Sequence, residues 1–105
     1  VTEGQYQSSI IKKLEKMFPG CVILKNDTQH HQGIPDLTIL WKRYWAALEV
    51  KISADASTQP NQGYYVAQLD SMSFAAYIYP ENEEEVLNAL QQAFKPPRRA
   101  RVSQS

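Results

Sequence analysis

Two apolar runs, IPDLTILW (34–41) and YWAALEVKI (44–52), are separated only by Lys42-Arg43. So short a gap between runs rich in β-branched and aromatic residues leaves little room for anything but an antiparallel hairpin. The gap also sets the register: residues whose numbers sum to about 85 face one another across the pair. Asp36 and Glu49 meet that condition, which makes the two carboxylates cross-strand neighbours with Cβ atoms ~5 Å apart. Like charges placed opposite each other destabilise a strand pair unless something positive lies between them. Lys51 stands on the same face as Glu49, two residues along. A hard divalent cation with oxygen ligands meets the remaining need, and Mg²⁺ commonly takes one or two carboxylates together with substrate phosphate. The alternative is a solvated Glu–Lys pair on a surface hairpin.

The rest of the chain supplies a small α/β frame for that hairpin. VTEGQYQSSIIKKLEKMFPG reads as a helix: Thr2 and Gln5 fit a capping box, Val1 and Tyr6 a hydrophobic staple, and Pro19-Gly20 an end. CVILKN (21–26) is a short strand, and DTQHHQG (27–33) a polar loop. After the hairpin comes a loop of turn formers, SADASTQPN (53–61). Residues 61–72 are helical, with Tyr65, Val66, Leu69 and Met72 on one face, and FAAYIY (74–79) is a fourth strand. Asn82, with Glu85 three residues on, caps a last helix that runs to Phe94. The order is α-β-β-β-α-β-α, a mixed four-stranded sheet in which the β-α-β unit makes the fourth strand parallel to the third. One domain spans 1–95, and 96–105 form a basic tail.

Composition excludes more than it selects. The 105 residues are 43% hydrophobic, and 11 Lys and Arg balance 11 Asp and Glu, so net charge gives no global argument for nucleic acid. Four of the 11 basic residues (Lys95, Arg98, Arg99 and Arg101) nevertheless cluster at the end of the chain. No stretch approaches the ~20 apolar residues of a membrane span. A lone cysteine, Cys21, allows no intramolecular disulfide. Together these lead us to expect a cytoplasmic protein with no membrane contact.

Two polar residues fall on apolar helix faces. At about 100° per residue, Glu3 lies within about 20° of Ile10 and Leu14, inside the stripe of the first helix. It either points toward the sheet or complements the helix dipole. Gln62 precedes Tyr65, Val66 and Leu69 by three, four and seven residues and so shares their buried face, in a capping, core or functional role.

GIPDLTIL followed by ALEVKI resembles the PD-(D/E)xK nuclease superfamily, with Pro35-Asp36 as the first motif and Glu49-Val50-Lys51 as the second. The wider pattern adds a helix with Glu3, a strand ending at Asn26, and Gln59-Pro60-Asn61-Gln62 opening a helix. Over residues 3–90 it looks like the small stand-alone VRR-NUC nucleases of phages, relatives of archaeal Holliday-junction resolvases. The resemblance implies a restriction-endonuclease-like core and a Mg²⁺-dependent endodeoxyribonuclease, with Mn²⁺ able to substitute and no nucleotide cofactor. Asp36, Glu49 and the Val50 carbonyl would bind the metal, with Glu3 contributing directly or through water. Lys51 would orient water or neutralise phosphate charge, and Gln62 would support the site. A homodimer cutting branched DNA, in a host cytoplasm if phage-encoded, is the leading expectation. Flap, nicked or ordinary duplex DNA, or a non-catalytic DNA-binding role, are the alternatives. Unlike many members, the stretch after Lys51 carries Asp55 and no basic residue.

The remaining candidates are contacts with phosphate. His30 and His31 lack zinc-site spacing and are read as loop contacts to DNA or as solvated polar residues. Lys12 and Lys13 leave the apolar stripe of the first helix and form either a phosphate-binding surface or a solvated face. Arg98, Arg99 and Arg101 form a DNA arm through counterion release or an unstructured end. No Ser/His/Asp or Cys/His arrangement points to covalent catalysis.

Overall fold

The hairpin organises the fold. A computed structural model describes residues 1–27, 30, 32–56 and 61–95. Its elements are α1 (Glu3–Met17), β1 (Val22–Lys25), β2 (Leu37–Trp41), β3 (Tyr44–Val50), α2 (Gln62–Met72), β4 (Phe74–Ile78) and α3 (Glu83–Ala93), in the expected order. The β2–β3 pairing runs from Leu37 opposite Leu48 to Trp41 opposite Tyr44, the register that the two-residue gap predicts. No glycine makes the turn; Lys42 takes a positive φ of 57° instead, and its ammonium lies 4.4 Å from the centre of the Trp41 ring.

The strands form one sheet in the order β1-β2-β3-β4. β1, β2 and β3 are antiparallel neighbours, and β4 lies parallel to β3, with α2 as the crossover that a parallel connection requires. Alternation along the strands divides the side chains between two faces. Leu37, Ile39, Ala46, Leu48, Val50 and Ile78 pack with Tyr6, Ile10, Leu14 and Phe18 of the first helical segment and with Val86, Leu90 and Phe94 of the last. On the other face Ala47 and Ala75 meet Val66 of α2. α1 and α3 therefore cover one side of the sheet and α2 the other. The α2 side is left incomplete over β1 and β2, where Val22, Leu24 and Leu40 are exposed.

The sheet is shorter at its edges than the apolar runs, for identifiable reasons. Pro35 has no N–H to give a ladder, and β2 begins two residues later. The Thr2–Gln5 capping box forms as expected, whereas Val1 is exposed and staples nothing. Met72, expected on the buried face of α2, is also exposed. Asn82 does not cap α3 through its side chain. Its Oδ1 accepts the Tyr79 N–H at 2.9 Å and its Nδ2 donates to the Tyr77 carbonyl at 3.1 Å, so it closes the end of β4 instead. The tail 96–105 lies outside the described residues.

Candidate functional site

At the open end of the hairpin the backbone ladder stops and two carboxylates continue it. Backbone N–H groups at such an end need acceptors. The Asp36 N–H donates to Glu49 Oε1 at 3.2 Å, and the Val50 N–H donates to Asp36 Oδ2 at 3.1 Å. Each acid thus receives a proton from the backbone of the opposing strand, which fixes both side chains. The cross-strand neighbourhood expected from sequence is present, and this reciprocal exchange holds it.

Two further groups converge on the second oxygen of Glu49. Gln62 Nε2, from the first turn of α2, donates to Oε2 at 2.7 Å, and Lys51 Nζ stands 3.6 Å from the same atom. All three side chains are withdrawn from solvent: Glu49 is 2% exposed, Gln62 5% and Lys51 6%. The placement of Lys51 follows from β3 continuing past its last strand residue, where the Lys51 N–H donates to the Ile78 carbonyl at 2.9 Å.

Hydrogen bonding in this cluster is complete, since no buried side-chain nitrogen or oxygen among the described residues lacks a partner. Charge is not complete. Among the described residues two carboxylates face one ammonium. Burial, aggravated by the Asp36 charge, pushes the Glu49 carboxyl up to about 7, against the opposing pull of Lys51 and the Asp36 N–H. Burial also raises Asp36, opposed by the Val50 N–H and by Lys51. Tyr77, the β4 partner of Glu49, has its hydroxyl raised by burial and by the Glu49 charge. The end of the sheet is short of positive charge.

Asn26 steadies the approach to Asp36. Its N–H donates to the Asp36 carbonyl at 2.8 Å, and its Nδ2 donates to the Pro35 carbonyl at 2.8 Å and to Thr38 Oγ1 at 2.9 Å. Thr38 and Tyr77 were not singled out by sequence reasoning. Thr38 could have been found, because it lies two residues beyond Asp36 on the same face of the strand. Tyr77 could not, because the β3–β4 register has no sequence signal.

Among the described residues, the other candidates do not join this cluster. Glu3 is exposed in the first turn of α1, and among the described residues no group of three His, Cys, Asp or Glu side chains could hold a metal ion. Lys12 is exposed on α1, whose packing face lies against the opposite side of the sheet. Lys13, on the same helix, pairs with Glu83 of α3. His30 is exposed. His31, Gln59, Pro60, Arg98, Arg99 and Arg101 lie outside the described residues.

The donor set suits a hard cation. Asp36 and Glu49 supply anionic oxygen, the Val50 carbonyl follows in sequence, and two carboxylates suffice for Mg²⁺ when a phosphate completes its shell. The unbalanced charge is what such an ion would correct.

Fold and site together define a three-layer α/β domain with a four-stranded mixed sheet and, at one end, a two-acid, one-base cluster in which Glu49 and Lys51 are buried and Asp36 is half-buried. No protein-family model, curated protein or solved structure matches the chain. No helix among the described residues is long and apolar enough to cross a membrane.

Proposed function

We propose that the protein is a divalent-metal-dependent DNA endonuclease with a restriction-endonuclease-like core, acting as a homodimer on branched DNA. The observation that carries this reading is the charge imbalance at the end of the hairpin. Two carboxylates are held side by side by reciprocal backbone hydrogen bonds, and one ammonium and one amide are fixed against them. A binding-only surface gains nothing from paired acids that repel phosphate.

In this reading Asp36, Glu49 and the Val50 carbonyl hold Mg²⁺ or Mn²⁺. When bound, the metal lowers the pKa of water and neutralises charge on the phosphoryl oxygens. Gln62 fixes the rotamer of Glu49 through Oε2, and Asn26 fixes the backbone that carries Asp36. The Lys51 ammonium, already within the cluster, meets negative charge as it grows on the phosphate. One domain carries one such site, so cutting both strands calls for two copies.

Incubation of the purified protein with labelled four-way junction, flap and linear duplex, in Mg²⁺, Mn²⁺ or EDTA, tests the proposal. Metal-dependent cutting of the junction ahead of the duplex is expected. Binding without cutting under every metal would remove the enzyme, and equal cutting of linear duplex would remove the preference for branches.

A further inference from the structure

Beside the carboxylates lies a cleft of about 510 Å³ that the proposed chemistry does not use, bounded by Lys51, Ser53, Val66, Tyr77, Tyr79 and Asn82 among others. Lys51 belongs to both places: it lines the cleft, and its ammonium stands 3.6 Å from Glu49. Tyr77 marks the same seam, because it lines the cleft and pairs with Glu49 across β3 and β4. The cleft thus opens directly next to the site, between α2 and the start of α3.

Its size and lining select an occupant. The volume lies within the roughly 300–1,000 Å³ range of small-ligand clefts, and a base pair with its two backbones cannot enter such a space. The walls are two tyrosines, Val66, Val86 and three alanines, with polar groups at the margin. Both side-chain arms of Asn82 are taken up by the Tyr79 N–H and the Tyr77 carbonyl. Asn82 therefore holds the tyrosine-bearing strand end in place and has no arm left to read a base edge. Aromatic walls accept a nucleobase by stacking, which every base face permits. Among the described residues the one charged side chain lining the cleft is Lys51, whose ammonium also faces the acidic site and is suited to the phosphate of that nucleotide.

We infer that the cleft beside Lys51 receives one unpaired nucleotide of the DNA strand, its base against Tyr77 and Tyr79 and its phosphate toward Lys51. The inference rests on the nuclease reading and narrows it. The substrate is DNA with an unpaired or extruded nucleotide next to the cut phosphate, recognised by a stacking platform rather than by sequence.

The test uses 2-aminopurine, whose fluorescence falls when it stacks, placed either unpaired in a gapped or flapped oligonucleotide or paired within a duplex. Binding is followed in EDTA with the whole protein. The unpaired probe is expected to bind about ten-fold or more tightly than the paired one and to be quenched, as a stacked base contributes on that order. Tyr79→Ala should abolish the quench and weaken unpaired binding by about ten-fold, Tyr79→Phe should restore both, and Ala56→Leu, which fills the cleft and keeps both rings, should act like Tyr79→Ala. Equal affinity for paired and unpaired probes, unchanged by Tyr79→Ala, overturns the inference. A parallel Mg²⁺ cleavage assay separates the two failures. Undiminished cutting of paired DNA by Tyr79→Ala overturns the cleft alone. Tyr79-dependent quenching without cutting by the wild type overturns the nuclease reading, and with it the placement of the nucleotide beside a cut phosphate.

Discussion

The molecule builds two clusters of acid, base and polar side chain, and they differ in arithmetic. Between α1 and α3, Glu83 accepts from the Tyr6 hydroxyl at 2.9 Å and pairs with Lys13. One carboxylate there meets one ammonium and one hydroxyl, and Lys13 remains half exposed. At the end of the hairpin, Asp36 and Glu49 share a single ammonium, and Glu49, Lys51 and Gln62 are all buried. The first arrangement fastens two helices and is balanced as it stands. The second is held in place by hydrogen bonds yet carries surplus negative charge, which a stabilising contact has no reason to keep. That difference is the one that the proposed cation would correct.

The sharpest way to break the comparison is to neutralise one acid in each cluster. Asp36→Asn should lower cleavage of junction DNA by about 10²–10³-fold or more, the scale of losing one group that stabilises the transition state. DNA binding in EDTA should be unchanged or improved, because a charge that repels phosphate is gone. Glu83→Gln should leave cleavage within about two-fold, since Glu83 pairs with Lys13 and Tyr6 on the other side of the sheet from the proposed site. Comparable losses in both variants would make the distinction between the clusters meaningless.

Removing the bases separates the clusters by stability. Lys51→Met leaves the buried Glu49 and the half-buried Asp36 without their counter-charge, which should lower the unfolding free energy at pH 8 by about 3 kcal/mol. The loss should shrink at pH 5, where Glu49 takes up a proton. Urea unfolding at the two pH values reads both numbers.

Much of this is legible in the chain itself. The two-residue gap at Lys42-Arg43 allows one register, and that register brings Asp36 against Glu49; Gln62 is placed by helical spacing alone. What the sequence hid depends on partners distant along the chain. Periodicity shows that α1 has an apolar face but not which side of the sheet it covers, so Lys12 and Lys13 were weighed as companions of a site on the other side. Asn82 and Glu85 have the spacing of a cap, yet the unpaired Tyr79 N–H and Tyr77 carbonyl compete for the Asn82 side chain and win. Met72 has the right helical phase, but it is the last residue of α2 and its side chain is exposed. The crossed hydrogen bonds, Asp36 N–H to Glu49 and Val50 N–H to Asp36, also had no signal, because they arise where Pro35 interrupts the ladder.

The surplus charge should also show in the pH dependence of the metal-free protein. Glu49 has its carboxyl pushed up to about 7 in the folded state, well above its ordinary value in an unfolded chain. The folded state therefore binds the extra proton in that window, and stability falls as pH rises. The contribution is fully present below the unfolded value of about 4.5 and is lost as pH climbs through about 7, a difference on the order of 2 kcal/mol between pH 5 and pH 8. Burial raises Asp36 in the same direction. Glu49→Gln should flatten the profile. Millimolar Mg²⁺ should raise the melting temperature at pH 8 and do much less at pH 5, where a proton occupies the place of the cation. A melting temperature that rises with pH in EDTA would overturn the assignment of a raised Glu49.

The smallest expected effect belongs to the balanced cluster, and its smallness is informative. Lys13→Ala removes the ammonium from Glu83 but leaves the Tyr6 hydroxyl bond. An exposed pair of this kind contributes about 0–1 kcal/mol and weakens with salt, so the variant should lose less than 1 kcal/mol in 0.1 M salt and almost nothing more in 1 M. Its stability should carry no Mg²⁺ dependence beyond that of the wild type. Tyr6→Phe should cost about 1.5–2 kcal/mol, the net worth of one part-buried hydrogen bond to a charged acceptor, and should leave cleavage unaltered. If Lys13→Ala instead abolished DNA binding while its unfolding curve stayed in place, the lysines of α1 would be phosphate contacts on the far side of the sheet. The DNA path would then have to reach both faces of the domain.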